Sequence, residues 1–264
     1  MSEIDSNTNF KFLGRQAMWN GERAQALTRD NLGGRKGMRS VEVSMNQRLL
    51  YDLLRAMRGR AVIMSNDAWG CFDRVVVSTD DEEIADVARA NGAETPFMRP
   101  AVLSDDITPT IPVIAHAVAM IEAITAAPVA HACCIYATAP FVAGADLQRG
   151  LAALVESEAD FAFSITSYAF PIQRAFRITD AGRIAMFQPE LFGARSQDLE
   201  EAWHDAGQFY WGKVSAWLTG KPLFSHDAAP VPLPRHRVQD IDTPEDWCRA
   251  EWLFKAMRHE QGQG

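Results

Sequence analysis

The chain predicts an α/β fold in which a mostly parallel sheet is wound with helices and interrupted by a small antiparallel excursion. Three observations predict it. Strand-like and helix-like segments alternate from Asp73 onward, the strand segments are short uninterrupted apolar runs, and two short strand-like stretches flank a turn in the second half. A parallel strand covered by helices on both faces has no solvated side, so its sequence reads as a continuous β-branched run rather than an alternation. Such runs alternating with amphipathic helices are the pattern of a wound sheet.

Arg74 to Thr79 is the first such run, and Asp80, followed three residues later by Glu83, predicts a capped helix with Ile84, Val87 and Ala88 on one face and Gly92 as its stop. Thr110 and Pro112 suit the start of a second helix, whose Val113, Ile114, Ala117, Val118 and Ile121 form an apolar stripe. Ala132 to Ala137 and Phe161 to Thr166 read as buried strands. Arg174 to Ile178 and Arg183 to Phe187 flank Thr179-Asp180-Ala181-Gly182, a hairpin signal and the centre of the excursion. Thr243-Pro244-Glu245-Asp246 combines a capping hydroxyl, a proline at the first helical position and acids in the first turn, which starts a helix running to Met257. The predicted organisation is an atypical region over residues 1–70, then a domain over 71–264 carrying an insertion at about 168–215.

A net charge of -8 argues against a general nucleic-acid binder, because a phosphate backbone rewards a basic surface. Cys71, Cys133, Cys134 and Cys248 form no CxxC pair and read as reduced packing residues. No apolar run approaches the roughly 18 residues needed to span a bilayer, and the polar start lacks a leader pattern. The expectation is a cytoplasmic protein that meets neither nucleic acid nor membrane.

Ligands of a wound sheet bind beyond the carboxyl ends of its strands. Ser78-Thr79-Asp80-Asp81, Thr138-Ala139-Pro140 and Gln239-Asp240-Ile241-Asp242-Thr243 fall there. Alternation puts Asp240 and Asp242 on one side of an extended segment, about 6 to 7 Å apart, where both can face one hard cation such as Mg²⁺. Taken alone the pair reads more readily as part of a helix cap, with Asp242 helping Thr243, and the surrounding sequence is what favours the metal. Arg195-Ser196-Gln197-Asp198 and the stretch from His204 to Gly212 gather charged and amide side chains next to Phe209, Tyr210 and Trp211. That composition suits a polyhydroxylated, acidic ligand, since Arg grips a carboxylate bidentately, amides take hydroxyls and aromatic faces cover a ring. Phe209 and Trp211 read equally as core strand residues.

Several words in order resemble the CMP-nonulosonate synthetases, among them the pseudaminic acid cytidylyltransferases: Val77 to Asp81, Arg99-Pro100 with Leu103 to Asp106, Ile135 to Phe141, Phe170 to Arg174, Arg195 to Asp198, His204 to Tyr210 and Arg237 to Thr243. The resemblance implies a Rossmann-like nucleotidyltransferase with a dimerising excursion, hence a homodimer, that transfers CMP from CTP to an acidic nine-carbon sugar. Pseudaminic acid is the first expectation; legionaminic or N-acetylneuraminic acid, or a non-catalytic sugar-binding relative, are the alternatives. It further implies Asp240 and Asp242 as the Mg²⁺ pair, Ser104 and Asp105 near the nucleotide, and Thr138, Gln173, Arg195, Gln197, Asp198, Gln208 and Tyr210 around the sugar.

The beginning departs from that pattern. The family opens with a strand and a loop of the form Ala-Arg-Gly-Gly-Ser-Lys-Gly, whereas Leu32 to Ser40 keeps Gly33, Gly34, Lys36 and Gly37 but lacks the preceding Ala-Arg and the loop Ser. Backbone amides and the Lys36 ammonium can cradle a triphosphate there, and the same stretch reads equally as a surface turn.

Overall fold

The computed structural model of the chain describes residues 10–13, 16–19, 71–90, 93–105, 107–136, 139, 141–241 and 243–260. In chain order the elements are β1 (Phe10–Leu13), β2 (Gln16–Trp19), α1 (Glu82–Ala90), α2 (Thr110–Thr125), β3 (His131–Ile135), α3 (Gly144–Glu156), β4 (Phe161–Ser167), β5 (Phe176–Ile178), β6 (Ile184–Met186), β7 (Trp203–Lys213), α4 (Val214–Thr219), β8 (Ala228–Pro232) and α5 (Pro244–Glu260). β1 and β2 form a two-stranded antiparallel ladder.

The main sheet has the order β3-β7-β4-β8. β7 runs antiparallel to both its neighbours, and β8 runs parallel to β4. Three of the four strands therefore share one direction, and the late strand β7 is inserted against them. A parallel bridge between Val76 and Glu94 extends the same α/β architecture on the amino-terminal side, with Val77 N–H donating to Glu94 and Glu94 N–H donating to Val75.

The apolar runs are buried on both faces, which is why they do not alternate. Cys133 and Ile135 of β3 join Phe72, Val75, Val77, Leu147, Leu154, Phe209 and Trp211 in the core under α3. Ala132 and Cys134, the intervening residues, join Ile114, Val118, Phe161, Tyr210 and Trp217 under α2 and α4. Burying one side chain such as Phe161 or Phe209 stabilises by about 1.5–3 kcal/mol. The three buried tryptophans among the described residues keep their indole donors satisfied: Trp211 donates to the Leu147 carbonyl at 2.9 Å, Trp217 to that of Ala132 at 3.2 Å and Trp247 to Glu251 Oε1 at 2.9 Å.

Helix boundaries follow capping chemistry. At α5 the Asp246 N–H donates to Thr243 Oγ1 at 3.2 Å while Thr243 N–H donates to Asp246 Oδ2 at 2.9 Å, a reciprocal cap of the expected kind. At α1 the cap lies one residue later than expected. Asp81, not Asp80, receives the Ile84 and Ala85 amides, because Asp80 is engaged by Arg99. The stop expected at Gly92 lies outside the described residues. The hairpin forms as predicted, with β5 and β6 antiparallel and Gly182 in the left-handed region at φ +68°. The excursion ends earlier than 215, since β7 has rejoined the main sheet from Trp203.

All four cysteines are free, Cys133 and Cys134 being buried. Among the described residues no helix is long and apolar enough to cross a membrane.

Candidate active site

Polar side chains gather at the carboxyl ends of β3 and β4, and β7 brings its own set there by an irregularity. On β4 Phe163 pairs with Tyr210 and Ile165 with Asp205, so Ser164 alone faces the four residues Ala206 to Phe209. Ser164 is fully buried, and its hydroxyl accepts the Gln208 N–H at 3.3 Å and the Phe209 N–H at 3.1 Å. One side chain thus replaces the strand partner that the bulge removes. The bulge turns on Gly207 at φ +62°, whose N–H donates to Asp205 Oδ1 at 2.9 Å.

Gly207 lies directly against Asp240. A β-carbon there would stand 2.7 Å from Asp240 Oδ2 and 3.1 Å from its Cγ, so only glycine leaves room for the carboxylate. Asp240 is half-buried, and its Oδ1 accepts the Ile241 N–H at 3.0 Å. Gln208 is fully buried, and its Nε2 donates to the Arg237 carbonyl at 2.6 Å. Its Oε1 has no partner among the described residues. The Gln208 carbonyl accepts the Tyr136 N–H at 3.0 Å, which fixes this group at the end of β3. The Arg237 guanidinium in turn holds Asp146 of α3 at 2.8 and 3.2 Å. Asp146 is 4% exposed and carries a second guanidinium, that of Arg149, at 2.7 Å.

A second cluster surrounds Arg99, which is buried. Its guanidinium donates to Ser104 Oγ at 3.1 Å, to Asp80 Oδ1 at 3.1 Å and to the Ser78 carbonyl at 3.4 Å. The Ser78 hydroxyl is buried without a partner among the described residues. Burial, then the Arg99 charge, push His116 below the usual imidazole range. Asp105 caps its own loop through Ile107 N–H at 3.2 Å and Thr108 N–H at 2.6 Å. The Thr108 hydroxyl contributes most to holding the Asp105 carboxyl below its ordinary value.

The excursion carries the other expected residues. Gln173 Nε2 donates to the Glu200 carbonyl at 3.0 Å while its Oε1 is buried without a partner among the described residues. Arg195 presents its fork to Asp198 at 2.6 and 2.9 Å on an exposed surface, with Gln197 exposed between them. Tyr210 sits inside the core between Tyr136 and Phe163 and donates its hydroxyl to Asp205 Oδ2. Burial, reinforced by Tyr136 and Asp205, drives its ionisation far above the ordinary phenol range. Gly33, Gly34, Lys36, Thr138 and Asp242 lie outside the described residues.

Asp240 therefore supplies hard oxygen donors at the carboxyl edge of the sheet, over a glycine whose missing side chain is the space its carboxylate fills. That donor chemistry fits Mg²⁺, which takes one or two carboxylates together with phosphate oxygens and water. Among the described residues no group of three or more His, Cys, Asp or Glu could hold a metal by itself.

Sequence reasoning assigned no role to Arg99, Asp146, Ser164 or Gly207. A signal existed for Arg99, since Arg99-Pro100 is one of the words that resemble the family. No signal existed for Ser164, whose partners are made by a bulge.

A wound sheet with a half-buried acid and unpartnered polar groups at its carboxyl edge is the frame of a nucleotidyl-transferring α/β enzyme. A sequence profile of the cytidylyltransferase family matches residues 62–201. A pseudaminic acid cytidylyltransferase from Campylobacter jejuni serotype O:2 is 39% identical over 191 residues, covering 72% of this chain and 82% of that protein. One from C. jejuni serotype O:23/36 is 38% identical with the same coverage. A CMP:2-keto-3-deoxy-manno-octonic acid synthetase solved with CTP superposes with a TM-score of 0.48 at 12% identity, over 81% of this chain and 88% of that one. The chain belongs to the cytidylyltransferase family, and its reaction is CTP-dependent nucleotidyl transfer.

Proposed function

We propose that the chain transfers CMP from CTP to pseudaminic acid, giving CMP-pseudaminic acid and pyrophosphate, in the cytoplasm. The observation that carries this reading is the 39% identity across 82% of a pseudaminic acid cytidylyltransferase. The anomeric oxygen of the sugar attacks the α-phosphorus, the bond from that phosphorus to the bridging oxygen breaks, and pyrophosphate leaves with the electron pair while the hydroxyl proton passes to solvent.

Asp240 together with Asp242 would hold Mg²⁺, which when bound neutralises charge on the triphosphate. Arg99, through its contacts with Ser104 and Ser78, presents a buried donor surface to the nucleotide, with Asp105 shaping the adjacent loop. Lys36, Gly33 and Gly34 would grip the phosphates. Arg195 would exchange its Asp198 partner for the sugar carboxylate, since the two acceptors have the same bidentate geometry. Gln173 and Gln208 each hold an unpartnered buried carbonyl oxygen that can take a sugar hydroxyl, and Thr138 and Gln197 complete that pocket. Tyr210 supports it from beneath through Asp205. No covalent enzyme intermediate is required, so positioning and electrostatics supply most of the rate.

The excursion exposes Phe170, Phe176, Ile178, Ile184, Phe187 and Phe192, each more than half accessible. A second copy of the chain covering them gives a homodimer and removes an apolar patch from water.

Pyrophosphate release is measured with CTP, Mg²⁺ and pseudaminic, legionaminic or N-acetylneuraminic acid in turn. The expected result is the highest specificity constant for pseudaminic acid. A preference for N-acetylneuraminic acid would overturn the sugar assignment.

A further inference from the structure

The segment that ends in Asp240 is held at two points. From the backbone side, fully buried Gln208 binds the Arg237 carbonyl at 2.6 Å. From the side-chain side, Asp146 binds the Arg237 guanidinium at 2.8 and 3.2 Å. Asp146 lies in the first turn of α3, on the packed face of that helix, so the ion pair ties a helix of the scaffold to the short 3-10 turn Arg235–Arg237, whose last residue stands three positions before the acid. A planar guanidinium held by both carboxylate oxygens cannot swing about its axis as a single contact can.

We propose that Asp146 is a positioning residue for Asp240: with Gln208 it clamps Arg237 at both ends, and the clamp sets the orientation of the Asp240 carboxylate over Gly207. The proposal rests on the reading of Asp240 as a metal ligand. Outer groups that orient a ligating carboxylate typically change metal affinity 10- to 100-fold when removed. Arg149 shares the same Asp146 carboxylate but leads away from the site to the Pro232 carbonyl, so it offers an internal control.

The full chain is titrated with Mn²⁺ alone and free metal is read by electron paramagnetic resonance, beside thermal melting and steady-state kinetics. Asp146→Asn is expected to weaken Mn²⁺ binding about 10-fold or more, and to lower kcat while leaving the KM for the sugar nearly unchanged. Arg149→Ala is expected to bind Mn²⁺ as the parent does. Mn²⁺ affinity of Asp146→Asn within a factor of about two of the parent, or an equal loss in Arg149→Ala, overturns the proposal. Asp240→Asn separates the two readings. If it leaves Mn²⁺ binding intact, or the parent binds no Mn²⁺, the metal assignment fails and the positioning role with it; if Asp240→Asn abolishes binding and Asp146→Asn does not weaken it, the positioning role alone fails. Should Asp146→Asn not fold, Arg237→Lys keeps the charge without the fork, and a loss in the same direction supports the clamp while parental affinity refutes it.

Discussion

Gly207→Ala puts the relation between the bulge and the acid to a quantitative test. The substitution has two separable effects. A left-handed backbone costs an L-residue about 1–2 kcal/mol, and for a domain of this size each kcal/mol lowers Tm by about 2–4 °C, giving a fall of about 2–8 °C. The second effect is steric and local. The new methyl would stand 2.7 Å from Asp240 Oδ2 and 3.1 Å from Cγ, so the carboxylate must retreat. An acid displaced by even a few tenths of an ångström from its ligating position is expected to lose about 10- to 100-fold in metal-dependent turnover. Gly182 supplies the control, because it has nearly the same φ, +68°, with nothing within 4 Å of an added β-carbon. Gly182→Ala should therefore show a comparable fall in Tm with turnover unchanged. Pyrophosphate release across a Mg²⁺ series and a melting curve for each variant provide the assay. If both variants lose activity alike, or if Gly207→Ala keeps parental Mg²⁺ dependence, the contact between Gly207 and Asp240 does not govern the site.

Four further outcomes are expected. Arg195→Lys should raise the KM for the sugar about tenfold or more while leaving the KM for CTP unchanged, because an ammonium cannot reproduce the bidentate fork; its effect on Tm should be small, since the Arg195–Asp198 pair is exposed. Lys36→Ala should weaken CTP binding about 10- to 150-fold in calorimetric titration, corresponding to the loss of a charge-assisted contact of about 1.5–3 kcal/mol, whereas Lys221→Ala, which loses only its Asp160 partner, should not. Ile178→Asp combined with Ile184→Asp should convert a dimer to a monomer by light scattering, as both residues lie exposed on the hairpin. Hydrogen bonding to Arg74 lowers the Glu94 carboxyl below its ordinary value; that pair therefore contributes stability above the unfolded carboxylate range and loses it as pH falls through the folded value, so Glu94→Gln should narrow the difference in Tm between neutral pH and about pH 3.

The elements that were legible in advance are those whose signal is local. Ile114, Ala117, Val118 and Ile121 are buried as their spacing requires, the Thr243 cap closes on Asp246, and the hairpin turns at Gly182. What sequence concealed depends on partners far along the chain. Asp80 looks like a helix cap until Arg99, nineteen positions later, claims it and the cap passes to Asp81. Gly207 and Gln208 read as residues of a plain strand, yet the bulge opposite Ser164 sets Gly207 against Asp240 and the Gln208 amide against Arg237. The strand direction of β7 was equally hidden, because an antiparallel strand between parallel neighbours is buried on both faces and carries the same apolar pattern they do.

The sheet order has a consequence for the sequence of events during synthesis. β3 and β4 leave the ribosome first, but they never touch, because the place between them belongs to β7. Until residue 213 is made, the facing edges of both strands offer unpaired amides and carbonyls, and the aromatic face that Tyr210 and Trp211 will cover stays open. Nascent chains stopped within the excursion thus present two bare edges at once, the situation in which intermolecular strand pairing competes with folding. The eleven-residue strand that shapes the candidate site is also the piece that joins β3 to β4, so a chain has little opportunity to complete its core without completing that edge.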